Sequence, residues 1–305
     1  MNGGAGSWSA QTCPEGYRLV ALPGRSGPWY VPSVPQLEQL ADGVWVWLQL
    51  PGESGVSNAG VVSDDDGLTV IDTLMVPSQW EPFRQAVEAL GRPIRRVILT
   101  HAHIDHVGGT SAFPHAAVYG SEATSQLLTQ PPMTEGYKAF MPAFADEFDD
   151  LDIRQVTHLV DGSAYVTPRI EVRLTAGHTP GDVIVLVHDA GVMFGGDLCF
   201  FGVTPLAFQG DPATWADVLD AIADLAPRIV PGHGPVGTAD DVRNLAGYLR
   251  ACVNAAGDPG ALPPGPWDGW VERDPRDRIN VERAAMLARG EDGIPRAMLE
   301  AIGMA

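Results

Sequence analysis

Three histidines and an aspartate fall within six residues, in the run Thr100-His101-Ala102-His103-Ile104-Asp105-His106-Val107-Gly108-Gly109. Imidazole and carboxylate are common ligands of zinc and related divalent ions. If the backbone stays extended from 101 to 103, both imidazoles project to one side, because side chains alternate along a strand. A tight turn then swings Asp105 and His106 toward a second point nearby. Gly108-Gly109 lets the chain leave in close packing and enter a helix. One cation cannot easily take four ligands from so short a loop, whereas two can. The protein has eight histidines, and three in one hexapeptide argue against scattered surface residues.

Further polar residues stand where a completing shell needs them. His178 lies in Ala176-Gly177-His178-Thr179-Pro180-Gly181, Asp197 in Phe194-Gly195-Gly196-Asp197, and His233 in Val230-Pro231-Gly232-His233-Gly234. Each is a lone polar group in a Gly-rich loop after an apolar strand. Any one alone reads as a turn or capping residue; beside the hexapeptide they read as ligands.

Together these residues resemble the metallo-β-lactamase superfamily, over roughly residues 43–250. The hexapeptide matches the family's H-x-H-x-D-H signature, and His178, Asp197 and His233 match its later ligands in order. The resemblance implies an α/β fold, an αββα sandwich of two mixed β-sheets flanked by helices, with metals at one edge. It implies that His101, His103 and His178 hold one metal, that Asp105, His106 and His233 hold the other, and that Asp197 bridges them. Asp72, in Val70-Ile71-Asp72-Thr73, matches a supporting acidic position behind the ligands. Aspartate at 197 resembles the hydrolases exemplified by glyoxalase II, whereas β-lactamases often use cysteine for the second metal. Cys199, two residues on, reads as a core residue.

Two zinc ions are the expected cofactors, and iron or manganese suits the same ligands. Two cations about 3.5–4 Å apart lower the pKa of a shared water from about 15.7 toward 7. The expected reaction is therefore hydrolysis of an ester, thioester, lactone or amide of a small, apolar or acyl substrate. Asp105 is the natural acceptor for the proton of the attacking water. No serine or cysteine stands out as a covalent nucleophile. The alternatives are an iron-dependent oxidoreductase of the persulfide dioxygenase kind and a binding protein without activity. The basic C-terminal pattern with which glyoxalase II binds glutathione is missing, as is the tyrosine that acyl-homoserine lactonases place shortly after the bridging aspartate.

Strands and helices must position these groups. Apolar and β-branched runs predict strands over 44–48, 58–63, 68–71, 96–100, 169–174, 183–187, 192–194 and 228–230. Helical spacing predicts helices over 79–90, 122–128, 135–148 with a kink at Pro142, 214–225, 240–252, 280–287 and 295–302. The expected organisation is an extended N-terminal arm over residues 1–42, a catalytic domain over 43–256, and a Pro/Gly-rich linker with C-terminal helices over 257–305.

Tyr137, Phe140, Phe144 and Phe148 recur at helical spacing, reading either as a helix packed on the body or as an apolar lid over the metals. Phe200, Phe201 and Phe208 follow Asp197 and could form another wall of a substrate pocket, with core packing expected for at least two of them.

Lys and Arg total 19 against 38 Asp and Glu, a formal charge of −19. Such a balance disfavours nucleic acid and anionic lipid as partners and leaves a small-molecule substrate. The first residues carry neither a basic start nor an apolar run, and the three cysteines are scattered, which together suggest a cytoplasmic protein. A homodimer is compatible with the arm and the C-terminal helices.

Overall fold

Side-chain alternation sends the apolar residues of most strands into two different interiors. The computed structural model describes residues 17–21, 28–32, 35–149 and 151–304. Most of the expected arm (residues 1–16, 22–27 and 33–34) and Cys13 lie outside the described residues. A hairpin of β1 (Tyr17–Ala21) and β2 (Pro28–Pro32) comes first. β3 (Leu37–Ala41), β4 (Val44–Trp47), β5 (Ala59–Asp64) and β6 (Gly67–Ile71) then form an antiparallel meander.

α1 (Pro77–Glu88) crosses to β7 (Ile94–Ile98), which runs parallel to β6. α2 (Ile104–Val107) leads to β8 (Ala117–Ser121), and α3 (Glu122–Leu128) and α4 (Thr134–Phe140) lead to β9 (His158–Val160). β8 and β9 continue the parallel half of this seven-stranded sheet. The second sheet has five strands. β10 (Ser163–Tyr165), β11 (Ile170–Thr175), β12 (Asp182–Val187) and β13 (Val192–Phe200) are antiparallel. α5 (Pro212–Ile222) then crosses to β14 (Arg228–His233), parallel to β13. α6 (Ala239–Asn254), α7 (Arg273–Ala288) and α8 (Arg296–Ala301) complete the chain.

On β12, Val183, Val185 and Val187 face a layer shared with Val44, Val46, Ile71 and Ile98 of the first sheet. Ile184 and Leu186 point the other way, onto Trp215 and Leu219 of α5 and Leu245 and Leu249 of α6. On the far side, Leu68, Val70 and Val97 of the first sheet receive Phe83 and Val87 of α1. Two mixed sheets therefore lie face to face with helices outside, the αββα sandwich expected. Each buried aliphatic side chain contributes on the order of 1.5–3 kcal/mol.

Several local expectations need correction. The 135–148 helix does not merely kink: α4 ends at Phe140, Met141 turns out of helical geometry (φ −126°, ψ 64°), and a 3₁₀ stretch spans Pro142–Glu147. Proline disfavours the helical conformation of the residue before it. β13 and β14 run on through Asp197 and His233, so Asp197 lies within its strand and His233 at the end of its own rather than in the loops after them. α7 begins seven residues before Asn280. Trp267 and Trp270, at the edge of the Pro/Gly-rich stretch, join the same buried cluster as Trp215 and Val281. Among the described residues no helix is long and apolar enough to cross a membrane.

Candidate metal centre

β7 runs straight toward the hexapeptide, and the backbone is still extended at His103 (φ −66°, ψ 146°) before α2 turns Asp105 and His106 inward. A side chain at Gly108 would strike the backbone carbonyl of Met75, so the turn can pack only with glycine there. His178 comes from the β11–β12 loop, held by Asp182, whose carboxylate accepts from the His178 and Thr179 amides at 2.9–3.1 Å. Asp197 comes from a part of β13 where the register against β14 shifts around Gly196 (φ +52°). Bulges of this kind re-aim a side chain at a sheet edge. His233 ends β14, and a side chain at the preceding Gly232 would overlap the Asp197 carboxylate.

The seven predicted residues converge at this edge in two groups. His101, His103, His178 and Asp197 form one, and Asp105, His106 and His233 form the other, with the candidate ligand atoms of each group within 4.8 Å of one another. The Asp197 carboxylate faces both. Its Oδ2 lies 3.4 Å from His178 Nε2 and 3.8 Å from His101 Nε2. Its Oδ1 lies 3.0 Å from His106 Nε2 and 3.5 Å from His233 Nε2. Asp105 Oδ2 is 3.2 Å from His233 Nε2, and His103 Nδ1 is 2.9 Å from His178 Nε2.

Four of the histidines have an acceptor on their far nitrogen. His106 Nδ1 meets Asp72 Oδ2 at 2.7 Å, and His233 Nδ1 meets the Gly52 carbonyl at 3.0 Å. His103 Nε2 meets Gln209 Oε1 at 2.9 Å. His101 Nδ1 meets Thr100 Oγ1 at 3.1 Å, and that hydroxyl donates its own proton to Asp72. Each outward nitrogen must therefore carry the proton, which leaves the inward nitrogen as a bare lone pair. Apart from His178, whose Nε2 is hydrogen-bonded to His103 Nδ1, the inner edge of the site is then acceptors facing acceptors. Among the described residues, His101 Nε2, His106 Nε2 and Asp197 Oδ1 are buried without any hydrogen-bond partner. Buried lone pairs at such separations repel unless a cation or proton lies between them, so the donor set fits bound divalent metal.

The electrostatics agree. Burial, followed by the neighbouring imidazoles of His106 and His103, holds His101 well below the usual histidine range. Burial brings His178 down to about 3. At His106 burial opposes charge, but the carboxylates of Asp197, Asp72 and Asp105 outweigh it and hold the imidazole well above its ordinary value. Burial likewise opposes charge on Asp197, and His106 and His233 prevail to keep it ionised. The site thus holds carboxylates ready for a cation, with His106 drawing a proton when none is present.

The aromatic residues divide. Phe200 is buried and stacks on His233 with ring planes 3° apart and centroids 5.0 Å apart. It backs the histidine rather than presenting an open wall, and Phe201 is buried in the core against Gly237. Phe208, half-buried, stacks on His103 at 5.3 Å. Tyr137, Phe140 and Phe144 pack against Met75, Val76 and Ile104 beside the site. Burial, and then the Asp105 carboxylate, raise the Tyr137 hydroxyl above its usual range. Cys199 is a buried thiol, pushed up by burial and then by Asp197.

Sequence reasoning missed the supports Thr100, Gln209, Asp182 and the Gly52 carbonyl. It also missed Asn58, which donates to the Pro231 and Gly234 carbonyls at 3.0 and 2.8 Å and pins the loop carrying His233. Asp182, four residues after His178, was the one with a local signal.

Comparison with known proteins identifies the family and the fold. The family model of the metallo-beta-lactamase superfamily matches residues 52–233. The uncharacterized protein YobT of Bacillus subtilis is 31% identical over 195 residues, covering 58% of this chain and 82% of that protein. A hydroxyacylglutathione hydrolase of Aeromonas salmonicida is 29% identical over 153 residues, 49% of this chain and 50% of the hydrolase, so the match spans about half of that relative. A metallo-beta-lactamase type 2 of Bacillus cereus is 26% identical over 220 residues, 66% of this chain and 77% of that enzyme. Among solved structures, the metallo-beta-lactamase FIM-1 from Pseudomonas aeruginosa superimposes with a TM-score of 0.58 at 20% identity, covering 75% of this chain and 97% of FIM-1. With the family model spanning more than half of its length, this chain belongs to the metallo-β-lactamase superfamily.

Proposed function

We propose that the chain is a dinuclear zinc hydrolase acting on an ester, thioester, lactone or amide of a small acyl compound. In this reading His101, His103 and His178 hold one metal, Asp105, His106 and His233 hold the other, and Asp197 spans both. The observation that carries it is the convergence of seven histidine and aspartate side chains in two groups about Asp197, with His101 Nε2, His106 Nε2 and Asp197 Oδ1 buried without hydrogen-bond partners. The relatives named as hydroxyacylglutathione hydrolase and metallo-beta-lactamase support hydrolysis as the reaction class.

Bound metal would lower the pKa of a water toward neutrality and polarise the substrate carbonyl. The protein's own residues do the rest. Asp197, kept ionised by His106 and His233, aligns the two halves of the centre. Asp105 uses one oxygen toward His233 and keeps the other free to take the proton of the attacking water. Asp72, Thr100, Gln209 and the Gly52 carbonyl fix the tautomers of His106, His101, His103 and His233, so that no step at these four waits on ring reorientation. Phe208, stacked on His103, and Tyr137, packed in the cluster that holds Ile104, offer apolar surface to an acyl group.

The test is to strip the protein with a chelator, restore zinc, and measure bound metal by mass spectrometry alongside turnover on a panel of thioesters, esters, lactones and amides. About two zinc ions per chain and zinc-dependent turnover of at least one acyl class are expected. Only trace metal binding, or turnover indifferent to zinc, sinks the reading.

A further inference from the structure

The loop from Val203 to Gly210 has no regular secondary structure yet is largely buried, so its backbone groups need partners that neither strand nor helix supplies. The Thr204 amide pairs with the Val271 carbonyl at 3.1 Å, and partners for several of the rest come from one face of α7. Arg276, Asn280 and Arg283 stand at spacings of four and three, which places them in one row along the helix. They are exposed by only 4%, 0% and 6%, unusual for such polar side chains unless each is fully paired. Each is. Arg276 donates to the Thr204 carbonyl. Asn280 accepts from the Ala207 amide and donates to the Pro205 carbonyl, both at 2.8 Å. Arg283 donates to the Gly210 carbonyl at 2.9 Å and the Gln209 carbonyl at 3.4 Å. The segment so fixed delivers Phe208 and Gln209 onto His103.

The same helix reaches the other group of ligands. Glu272, immediately before α7, is a non-glycine residue in left-handed geometry (φ +58°), and such strain persists only where surrounding contacts fix it. Its carboxylate accepts from the Ser54 amide at 3.1 Å and the Ser54 hydroxyl at 2.9 Å, and Arg276 donates to that hydroxyl at 2.7 Å. This clamp holds the Gly52–Ser54 turn, whose Gly52 carbonyl takes the Nδ1 proton of His233.

We infer that α7 is a positioning element for both halves of the proposed metal centre, orienting His103 through Gln209 and His233 through the Glu272–Ser54 clamp. The inference rests on the metal-centre reading above and adds the elements outside the ligand set that tune it. Neither Gln209 nor Glu272 touches a reacting atom. Each fixes which nitrogen of its histidine is bare and where that lone pair points.

Zinc affinity can be measured by competition against a chromophoric chelator in the full-length protein, together with the visible spectrum after cobalt substitution. The variants are Gln209→Ala, Gln209→Glu and Glu272→Ala, with melting of the metal-free proteins as a folding control. Gln209→Ala should weaken one zinc site about tenfold and alter its cobalt spectrum, while Gln209→Glu, which keeps an acceptor oxygen, restores both. Glu272→Ala should weaken the other site by about the same factor. Wild-type affinity in either alanine variant, or equal losses in Gln209→Ala and Gln209→Glu, overturns the inference. A wild-type protein that takes up no zinc would overturn the metal-centre reading along with it, a result that these variants cannot imitate.

Discussion

Nδ1 of His106 lies 2.7 Å from Oδ2 of Asp72, a residue held in left-handed geometry at φ +55°. The same carboxylate accepts from the Thr100 amide and hydroxyl, both at 2.8 Å. Asp72 therefore joins the end of β6 to the start of the hexapeptide while setting the His106 tautomer. Asparagine tolerates the left-handed region, so Asp72→Asn should fold. Its amide would donate to His106 Nδ1 and drive the proton onto Nε2, where a metal would have to bind. Zinc affinity should fall about 10- to 100-fold, with melting of the metal-free protein measured beside it to separate lost stability from lost orientation. Equal zinc affinity in variant and wild type would refute the orienting role.

Asp105 carries the proposed proton transfer. His106, and then a hydrogen bond with His233, overcome the opposing effect of burial and hold its pKa at about 2, so it is ionised at neutral pH. Asp105→Asn keeps an oxygen for the metal and loses the basic site. Turnover should drop by roughly 10²-fold or more at saturating zinc, while bound metal is largely retained. Mass spectrometry and steady-state kinetics on the same sample separate the two effects; wild-type kcat in a zinc-loaded variant would remove Asp105 from the mechanism.

The seven clustered residues were legible in the sequence because they are rare residue types, four of them in one hexapeptide and three beside glycines at the ends of apolar runs. The two-sheet core was legible where β-branched runs such as Val183–Val187 alternate between two buried layers. Legibility failed where the buried face is polar. The first turns of α7 carry Arg276 and Asn280 toward the core in place of aliphatic residues, so apolar periodicity puts the start of the helix seven residues too late. β9 and β10 were missed for a related reason: three-residue edge strands whose side chains, Val160 apart, are exposed carry almost no pattern. Gln209 and the Gly52 carbonyl were invisible because their partners lie 106 and 181 residues away in the chain.

Tyr137 tests the substrate wall. It packs on Phe148 with ring centroids 5.7 Å apart and stands near Asp105, yet belongs to a short helix with no fully buried residue. Removing its ring should cost binding in the ground state and the transition state alike. Tyr137→Ala is expected to raise KM for an acyl substrate about tenfold, with kcat within about threefold and zinc affinity unchanged. A fall in kcat at constant KM would instead assign the hydroxyl a part in the reaction.

Far from the centre, Glu171 on β11 accepts from Arg173 Nε and the Ser163 hydroxyl at 2.6 Å, and His188 Nε2 lies 2.5 Å away. Arg173 and then Ser163 bring its pKa from 4.5 down to about 2. A carboxylate with a depressed folded pKa binds fewer protons folded than unfolded in the interval between the two values. Its stabilisation is then complete above about 4.5 and is lost as pH falls toward about 2. Glu171→Gln should accordingly melt below wild type at neutral pH by a constant margin, and the margin should narrow under acid. Arg173 is 36% exposed, so solvent screens part of the pair and the margin should also shrink in high salt. Melting curves of metal-free protein across this range isolate the effect from metal loss. A margin that widened on acidification would mean that the carboxylate is not the ionised partner the geometry describes.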